Sequence, residues 1–332
     1  MRLPFLRKRP PVLPAPREFP FIELRTGESS VLVVPSLGGK LAELWVAGRQ
    51  WLWQSDVTPM APGVDGASYV ETADTGGWDE CFPTVGACRV PSWVKGVGGT
   101  SLPDHGELWS QAPEVEVVTG PEGQTATCRW SGVRWPYAFE RSVRIDRHGM
   151  VHLGYAVANQ GTDRLPFLWS AHPLFPLSER TRLVLPEGTR LRAWARHGID
   201  LGELRSEHQW PWVRAGSRAC DFRSPFDVAK KYACKLFLDM REGTAVLQEG
   251  EVELAMHWDV REIPHLGLWL NKRGWTPFRS ELPYLNLAVE PAIGAPDTVD
   301  DALGDWKSAA WLDPGERRTW TLRLEGRAVT PV

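Results

Sequence analysis

Residues 139–146 read Phe139-Glu140-Arg141-Ser142-Val143-Arg144-Ile145-Asp146, and apolar and polar side chains alternate along them. The apolar residues that share one side of this stretch, if it is extended, are Phe139, Val143 and Ile145. The polar residues on the opposite side are Glu140, Ser142 and Arg144. Alternation with a period of two is typical of a β-strand with one buried face. The same pattern recurs in residues 151–157, 252–258 and 320–324.

Turn signals separate these alternating stretches, whereas helical periodicity is scarce. The turns are Gly38-Gly39, Gly76-Gly77, Gly98-Gly99, Pro121-Glu122-Gly123 and Pro314-Gly315-Glu316. Short strands in a chain with 31 Gly and 28 Pro favour antiparallel sheets over alternating strands and helices. We therefore predict an all-β protein, a large antiparallel β-sandwich. No composition change marks a linker, so residues 20–326 are predicted to form a single domain after a proline-rich, basic extension over residues 1–19.

The overall composition excludes several classes of function. Lys and Arg number 38 against 41 Asp and Glu among 332 residues, so the net charge of −3 gives no general attraction to nucleic acid or membranes. No apolar run approaches the roughly 18 residues of a membrane helix, and the apolar core of a secretory signal is missing. The five cysteines lack metal-binding spacing, which predicts buried free thiols in a reducing compartment. We expect a cytoplasmic protein, either a monomer or a homodimer.

The chain contains 18 tryptophans but only 5 tyrosines. Most of these indole rings are expected to pack in the core. Tryptophan also supplies a flat apolar face for the C–H side of a sugar ring, while its N–H can still donate a hydrogen bond. The tryptophan content is therefore a weak indication of carbohydrate binding.

Four segments place titratable side chains among turns and aromatic residues, and they span residues 76–83, 104–109, 169–175 and 285–291. In the first segment, Asp79 and Glu80 would point to opposite sides of an extended chain, so one of them can face a pocket. A solvated turn is the alternative. In the second segment, Asp104 could fix the tautomer of His105, although a histidine in a surface loop is the simpler interpretation.

The other two segments contain one titratable residue each in apolar surroundings. His172 lies just before Pro173, and its pattern taken alone favours a hydrogen-bonded core histidine. Glu290 ends an apolar run just before Pro291, where a strand must leave its sheet. Because a buried carboxylate is costly unless it is paired or functional, Glu290 is the most conspicuous acid in the chain.

The sequence does not predict a metal or cofactor site. Its eight histidines are scattered and form neither an HxH nor an HExxH pattern. A glycine-rich phosphate loop and a GxSxG motif are also missing. We therefore expect neither a metal nor a cofactor.

Taken in order, these segments resemble the aldose 1-epimerase (galactose mutarotase-like) family. The resemblance begins at residues 34–41, continues through Gly77-Trp78, Phe82-Pro83 and His105-Gly106, and reaches residues 172–175. It ends with Val289-Glu290-Pro291 and the turn at residues 312–316. Each motif is short, but the ordered set covers roughly residues 20–326.

The resemblance implies a large β-sandwich with a sugar bound in a cleft on a concave sheet face. It implies that Glu290 is the general base and His172 the general acid of anomer interconversion, and that His105 binds the sugar. Further substrate-binding candidates are Trp78, Glu80, Trp109 and Asn271. Asp79 and Arg89 are alternatives for ordering the sugar, since the corresponding residues of the family cannot be matched here.

One departure bears on the substrate. Relatives that act on hexose 6-phosphates carry an arginine shortly after the His-Gly pair, whereas this chain has Glu107-Leu108-Trp109. A free, unphosphorylated sugar is therefore the expected ligand. The alternatives are a non-catalytic carbohydrate-binding protein on the same fold, and a lyase or hydrolase with a longer cleft.

Overall fold

The computed structural model describes residues 15–121, 123–203, 205–277 and 284–329. Most of the predicted N-terminal extension, residues 1–14, lies outside this part of the chain. Two short helices occur in it, α1 (Tyr69–Thr72) and α2 (Val299–Leu303), together with single 3-10 turns at Pro16–Glu18, Pro35–Leu37, Leu108–Ser110 and Pro225–Asp227. Over the same residues, no helix combines the length and apolar character needed to cross a bilayer.

Strands dominate the described residues, as predicted. The first nine are β1 (Ile22–Thr26), β2 (Ser29–Val34), β3 (Lys40–Val46), β4 (Arg49–Gln50), β5 (Trp78–Cys81), β6 (Cys88–Arg89), β7 (Ser101–Leu102), β8 (Glu114–Gly120) and β9 (Gly123–Ser131). The next eight are β10 (Tyr137–Ile145), β11 (Val151–Asn159), β12 (Leu165–Phe167), β13 (Trp169–Pro176), β14 (Thr181–Val184), β15 (Arg190–His197), β16 (Glu207–Gln209) and β17 (Trp212–Ala215). The last eight are β18 (Arg218–Asp221), β19 (Tyr232–Asp239), β20 (Thr244–Glu249), β21 (Val252–His257), β22 (His265–Lys272), β23 (Leu285–Ile293), β24 (Ala310–Leu312) and β25 (Arg317–Ala328).

Two large antiparallel sheets form the sandwich. The larger has eleven strands in the order β1-β2-β3-β5-β13-β23-β22-β19-β15-β16, with β4 beside β3. The smaller has eight strands in the order β14-β20-β21-β25-β11-β10-β9-β8. The central pairs of the large sheet are all antiparallel, including β13 with β23, β23 with β22 and β22 with β19. The predicted all-β sandwich is confirmed.

The core lies between the two sheets and contains large aromatic rings. Trp169 on β13 contacts Tyr155 and Trp320 of the opposite sheet, with ring centroids 4.7 and 5.0 Å apart. Tyr155 and Trp320 are stacked on neighbouring strands β11 and β25. Burial of such rings supplies most of the favourable free energy of the fold.

The five cysteines are free thiols, as predicted. Four of them are buried, and Cys88 is half-buried. Burial raises the pKa of the Cys234 thiol above its ordinary value. These thiols therefore act as small apolar core residues.

Arg141 departs from the simple alternation of β10. It lies on the buried side with Phe139 and Val143 and is fully buried. Its Nη1 is 3.5 Å from Oε1 of Glu80, and its Nη2 donates a hydrogen bond to the carbonyl of Gly39. Arg141 and Glu80 thus form an ion pair between the two sheets, since β10 and β5 belong to different sheets. Burial raises the pKa of Glu80 to about 7, against the opposing charge of Arg141.

The buried pair gives a prediction about stability. Replacing Arg141 by Met leaves the Glu80 carboxylate without its charge partner, and we expect the free energy of unfolding to fall by about 3–5 kcal/mol. Chemical denaturation measures this loss. The exposed control Arg323→Met should cost no more than about 0.5 kcal/mol. Arg141→Met combined with Glu80→Gln should recover part of the loss, and an Arg141→Met variant as stable as the control would refute the role of the pair.

Candidate active site

A cavity of about 230 Å³ opens on the large sheet. It lies on the face turned away from the smaller sheet, because alternate residues of the same strands pack into the core. On β13, Trp169 and Ala171 are core residues, whereas His172 lines the cavity. The same alternation turns Lys235 on β19 and Glu290 on β23 outwards. Strands β13, β23 and β19 of one sheet therefore deliver titratable side chains to one cavity.

His172 and Glu290 form the centre of the cavity. Their side chains are almost completely buried, and Nε2 of His172 is 3.8 Å from Oε1 of Glu290. Nδ1 of His172 and Oε1 of Glu290 have no hydrogen-bond partner within the described residues. Buried polar atoms are normally hydrogen-bonded, so these two atoms are candidates for bonds to a ligand.

Burial shifts the pKa values of this pair in opposite directions. It lowers the pKa of His172 well below the usual value, and the positive charges of His105, Lys235 and Lys40 lower it further. Burial raises the pKa of Glu290, although the nearby ammonium of Lys235 opposes that change. Both shifts weaken the ordinary preference of the proton for histidine over glutamate.

His105 supplies a second imidazole from a loop. Its Nδ1 is 2.8 Å from Oδ1 of Asp104, so Nε2 is the ring nitrogen left for a ligand. The ring stacks on Tyr69 with centroids 4.0 Å apart, and its edge meets His172 at 4.9 Å. Burial disfavours the charged form of His105, but the bond and charge of Asp104, followed by the charges of Asp74 and Asp297, outweigh it and raise the pKa. Of the two imidazoles in the cavity, His105 therefore holds a proton more readily than His172.

The backbone conformation of the loop explains why a glycine follows His105. His105 has a φ of 58° and Gly106 one of 74°, in the left-handed region that favours glycine. A Cβ on Gly106 would lie 2.1 Å from the carbonyl oxygen of Phe82, which accepts a hydrogen bond from the backbone N–H of Glu107. Glycine at this position lets the loop dock against the end of β5 and hold the imidazole over the sheet.

Asp74 is a further acid in the lining. It is buried, and its Oδ1 has no hydrogen-bond partner in the described part of the structure. Burial raises its pKa to about 7, against the opposing charges of His105 and Lys40. Asp74 therefore changes charge near neutral pH.

Aromatic residues complete the wall. Trp194 on β15, Trp269 on β22 and Trp275 just after β22 are half-buried and line the cavity. Trp269 and Trp275 meet edge to face with centroids 5.7 Å apart. Flat apolar rings beside polar atoms suit a ligand with a C–H face and several hydroxyl groups.

Four residues predicted to bind substrate lie outside the cavity lining, namely Trp78, Glu80, Trp109 and Asn271. Trp78 is a core residue between the sheets. Glu80 points into the core, where it accepts hydrogen bonds from Tyr155 and Trp169. As expected for an extended chain, its neighbour Asp79 points to the other face and accepts a hydrogen bond from Tyr69 at 2.7 Å. Trp78 and Glu80 are therefore left out of the site proposed below.

Trp109 and Asn271 support the cavity from outside its lining. The indole of Trp109 packs edge-on against Tyr69 and donates a hydrogen bond to the carbonyl of Asp104. Asn271 is fully buried; its Nδ2 donates to the carbonyl of Trp275, and its Oδ1 accepts from the Trp275 backbone N–H. These side chains fix residues that do line the cavity. Arg89, one alternative for ordering the sugar, is also outside the lining.

Glu107 directly follows His105-Gly106, where a phosphate-binding arginine would be expected in a protein that acts on a sugar phosphate. Its carboxylate is fully buried and accepts hydrogen bonds from the backbone N–H groups of Val133 and Arg134 and from the Tyr137 hydroxyl. It therefore secures the neighbouring loop. It adds no positive charge to the cavity.

The lining also contains residues that were not predicted from the sequence, among them Lys235, Asp74 and Asp297. Lys235 interrupts the apolar run Tyr232-Ala233-Cys234-Lys235-Leu236-Phe237-Leu238, which was a usable signal. Asp74 and Asp297 lie in turn-rich segments and gave no such signal. Within the described residues, no group of three or more metal-ligating side chains is positioned to hold a metal ion.

The Asp104–His105 pair can be tested directly. Asp104→Asn removes the charge that offsets burial of the imidazole, so we expect the pKa of His105 to fall from above its usual value to below it. Titration of the imidazole by ¹H–¹⁵N NMR measures this change. Asp65→Asn, at an exposed acid outside the cavity lining, is the control. An unchanged His105 titration in Asp104→Asn would contradict the interpretation.

The chain is similar to several solved structures, although it matches no family model and no curated protein sequence. Slr1438 protein from Synechocystis sp. PCC 6803 superimposes with a TM-score of 0.64 at 17% identity, over 98% of this chain and 99% of the other. A galactose mutarotase related enzyme from Lactobacillus acidophilus gives 0.60 at 15%, over 93% and 98%. A galactose mutarotase-like protein from Lactobacillus casei gives 0.59 at 17%, over 93% and 100%. The chain therefore has the galactose mutarotase-like fold.

Proposed function

We propose that this protein interconverts the anomers of a free, unphosphorylated sugar by acid–base ring opening. The observation that carries the proposal is the juxtaposition of His172 and Glu290. They lie in one cavity at 3.8 Å, and each presents a buried atom that has no hydrogen-bond partner in the described chain. The similarity to galactose mutarotase-like structures also supports the proposal.

The reaction needs only proton transfers. A base removes the proton from the C1 hydroxyl, the C1–O5 bond breaks, and an acid delivers a proton to O5. The product is the open-chain aldehyde. Rotation about C1–C2 and closure on the other face give the second anomer, with both proton transfers reversed. Glu290 is assigned the first transfer and His172 the second, while His105 binds the oxygens near C1.

The pair is competent when it holds a single proton. Ring opening in one direction moves that proton between the two groups through the sugar, and ring closure moves it back. A raised pKa for Glu290 and a lowered pKa for His172 favour transfer of the proton from His172 to Glu290, the direction that ring opening requires. Ring closure returns the proton by the reverse transfers.

The charges of the cavity favour an uncharged sugar. Among its described lining residues, Lys235 already faces the Glu290 carboxylate and His105 already faces the Asp104 carboxylate. Asp74 and Asp297 add further acidic groups. A phosphate or carboxylate on the ligand would meet this excess of acid, whereas hydroxyl groups can donate to it. The small volume favours one sugar ring over an oligosaccharide.

The activity is tested by magnetisation-exchange NMR on a panel of aldoses. We expect wild-type protein to accelerate anomer exchange for at least one of them. Glu290→Gln and His172→Gln should each lower kcat by about 10²–10⁴-fold, because each removes one positioned proton-transfer group. Glu242→Gln, at an exposed acid outside the cavity lining, should retain full activity.

Two results would contradict the assignment: no acceleration with any sugar, or full activity in Glu290→Gln. Sugar binding without exchange, weakened by Trp269→Ala, would instead indicate a carbohydrate-binding protein. Cleavage of an oligosaccharide would indicate a lyase or hydrolase.

The pH dependence is a separate prediction. Activity should fall at low pH as the pair gains a second proton, and at high pH as it loses its last one. Because the pKa of His172 is lowered well below its usual value, the alkaline limb should lie below the usual pKa of histidine. We expect a bell-shaped pH profile of kcat/KM with its maximum below pH 7. A plateau extending above pH 8 would contradict the single-proton requirement.

A further inference from the structure

Lys235 is a buried lysine that the proposed proton transfers do not use. It is 6% exposed, lies in the middle of β19, and its Nζ forms an ion pair with Oε2 of Glu290. A buried ammonium is costly unless it is paired, so its presence at the cavity requires an explanation.

The pair is formed across an intervening strand. β19 and β23 are not neighbours, because β22 lies between them. Gly267 on β22 is directly opposite Glu290, and a Cβ there would lie 2.6 Å from Oε2 of Glu290 and 3.4 Å from Cε of Lys235. The lysine therefore reaches Glu290 through space that only glycine leaves open.

A second carboxylate faces the same ammonium. Oδ1 of Asp297 is 3.6 Å from Nζ of Lys235 and has no hydrogen-bond partner in the described residues. The backbone carbonyl of Asp297 accepts hydrogen bonds from the N–H groups of Val85 and Gly86, so this loop is held in place. Glu290 and Asp297 thus share one positive charge.

We propose that Lys235 is a positioning residue that keeps the Glu290 carboxylate ionised and leaves its Oε1 directed at the ligand, while Asp297 limits how much of the lysine's charge Glu290 receives. This role rests on the function proposed for Glu290. In addition, it assigns control of the ionisation and orientation of Glu290 to a residue two strands away.

The charges around Glu290 have definite signs. The groups that face it are His172 on β13, His105 on its loop, Cys81 on β5, Lys235 on β19 and Asp297 after β23. Burial raises the pKa of Glu290; Lys235 lowers it, Asp297 raises it, and His105 lowers it. Removing Lys235 or Asp297 should therefore move the Glu290 titration in opposite directions.

Lys235 itself does not attack the open-chain aldehyde. Burial favours its neutral amine, but the charges of Asp297 and Glu290 outweigh burial and raise its pKa. An ammonium has no lone pair for addition to a carbonyl carbon. Electrostatic control of Glu290 is the role that remains for this side chain.

The test is an infrared pH titration of the Glu290 carboxyl in the unliganded full-length protein. Subtraction of the Glu290→Gln spectrum identifies the band. We expect Lys235→Met to move the titration midpoint upwards by about one pH unit or more, a tenfold change in the ionisation constant. Asp297→Asn should move it downwards, and Lys235→Arg should stay close to wild type. Gly267→Ala should move it in the direction of Lys235→Met, because the added methyl displaces the pair.

Each outcome decides the proposal. Opposite shifts in Lys235→Met and Asp297→Asn support it, whereas unchanged midpoints in both overturn it. If circular dichroism shows that Lys235→Met is unfolded, the Asp297→Asn midpoint decides alone: a downward shift supports the proposal and no shift overturns it. The titration does not depend on turnover. Wild-type protein without anomer exchange would therefore refute the proposed function and leave this test intact.

Discussion

Side-chain alternation, which sends successive residues of a strand to opposite faces of its sheet, is the constraint on which this structure depends. The two sheets exclude water between them only if every second residue of the central strands is apolar or fully paired. The remaining positions are then free to carry charge on the outer face. At such positions, His172 on β13, Glu290 on β23 and Lys235 on β19 line one cavity. The hydrophobic core and the candidate site are thus two faces of the same strands.

The sequence predicts the fold class well because alternation is local and each strand carries its own signal. It also indicates His105, His172 and Glu290, since their ordered motifs resemble a known family. The prediction from sequence does not include Lys235, because its partner Glu290 is 55 residues away and the two meet only when β22 lies between their strands. For Asp79 and Glu80, alternation predicts opposite faces, but the choice of face depends on which strand packs opposite.

Two titratable groups of the cavity, His105 and Glu290, each have a partner of opposite charge. Asp104 supports the charge on His105, and Lys235 supports the charge on Glu290. His172 has no such support, and burial and its positive neighbours lower its pKa. Proton affinity in the site therefore reflects partners supplied by a loop and by distant strands as much as the reacting residues themselves.

The separation of inner and outer faces also bears on evolutionary divergence. Substitutions at Lys235, Glu290 or Trp269 change the cavity while their inward neighbours keep the sheets packed. Inward positions can in turn exchange one apolar residue for another of similar volume without reaching the cavity. The inward-facing and outward-facing residues can therefore change independently of one another. A sandwich of this kind can therefore be shared by chains of low sequence identity.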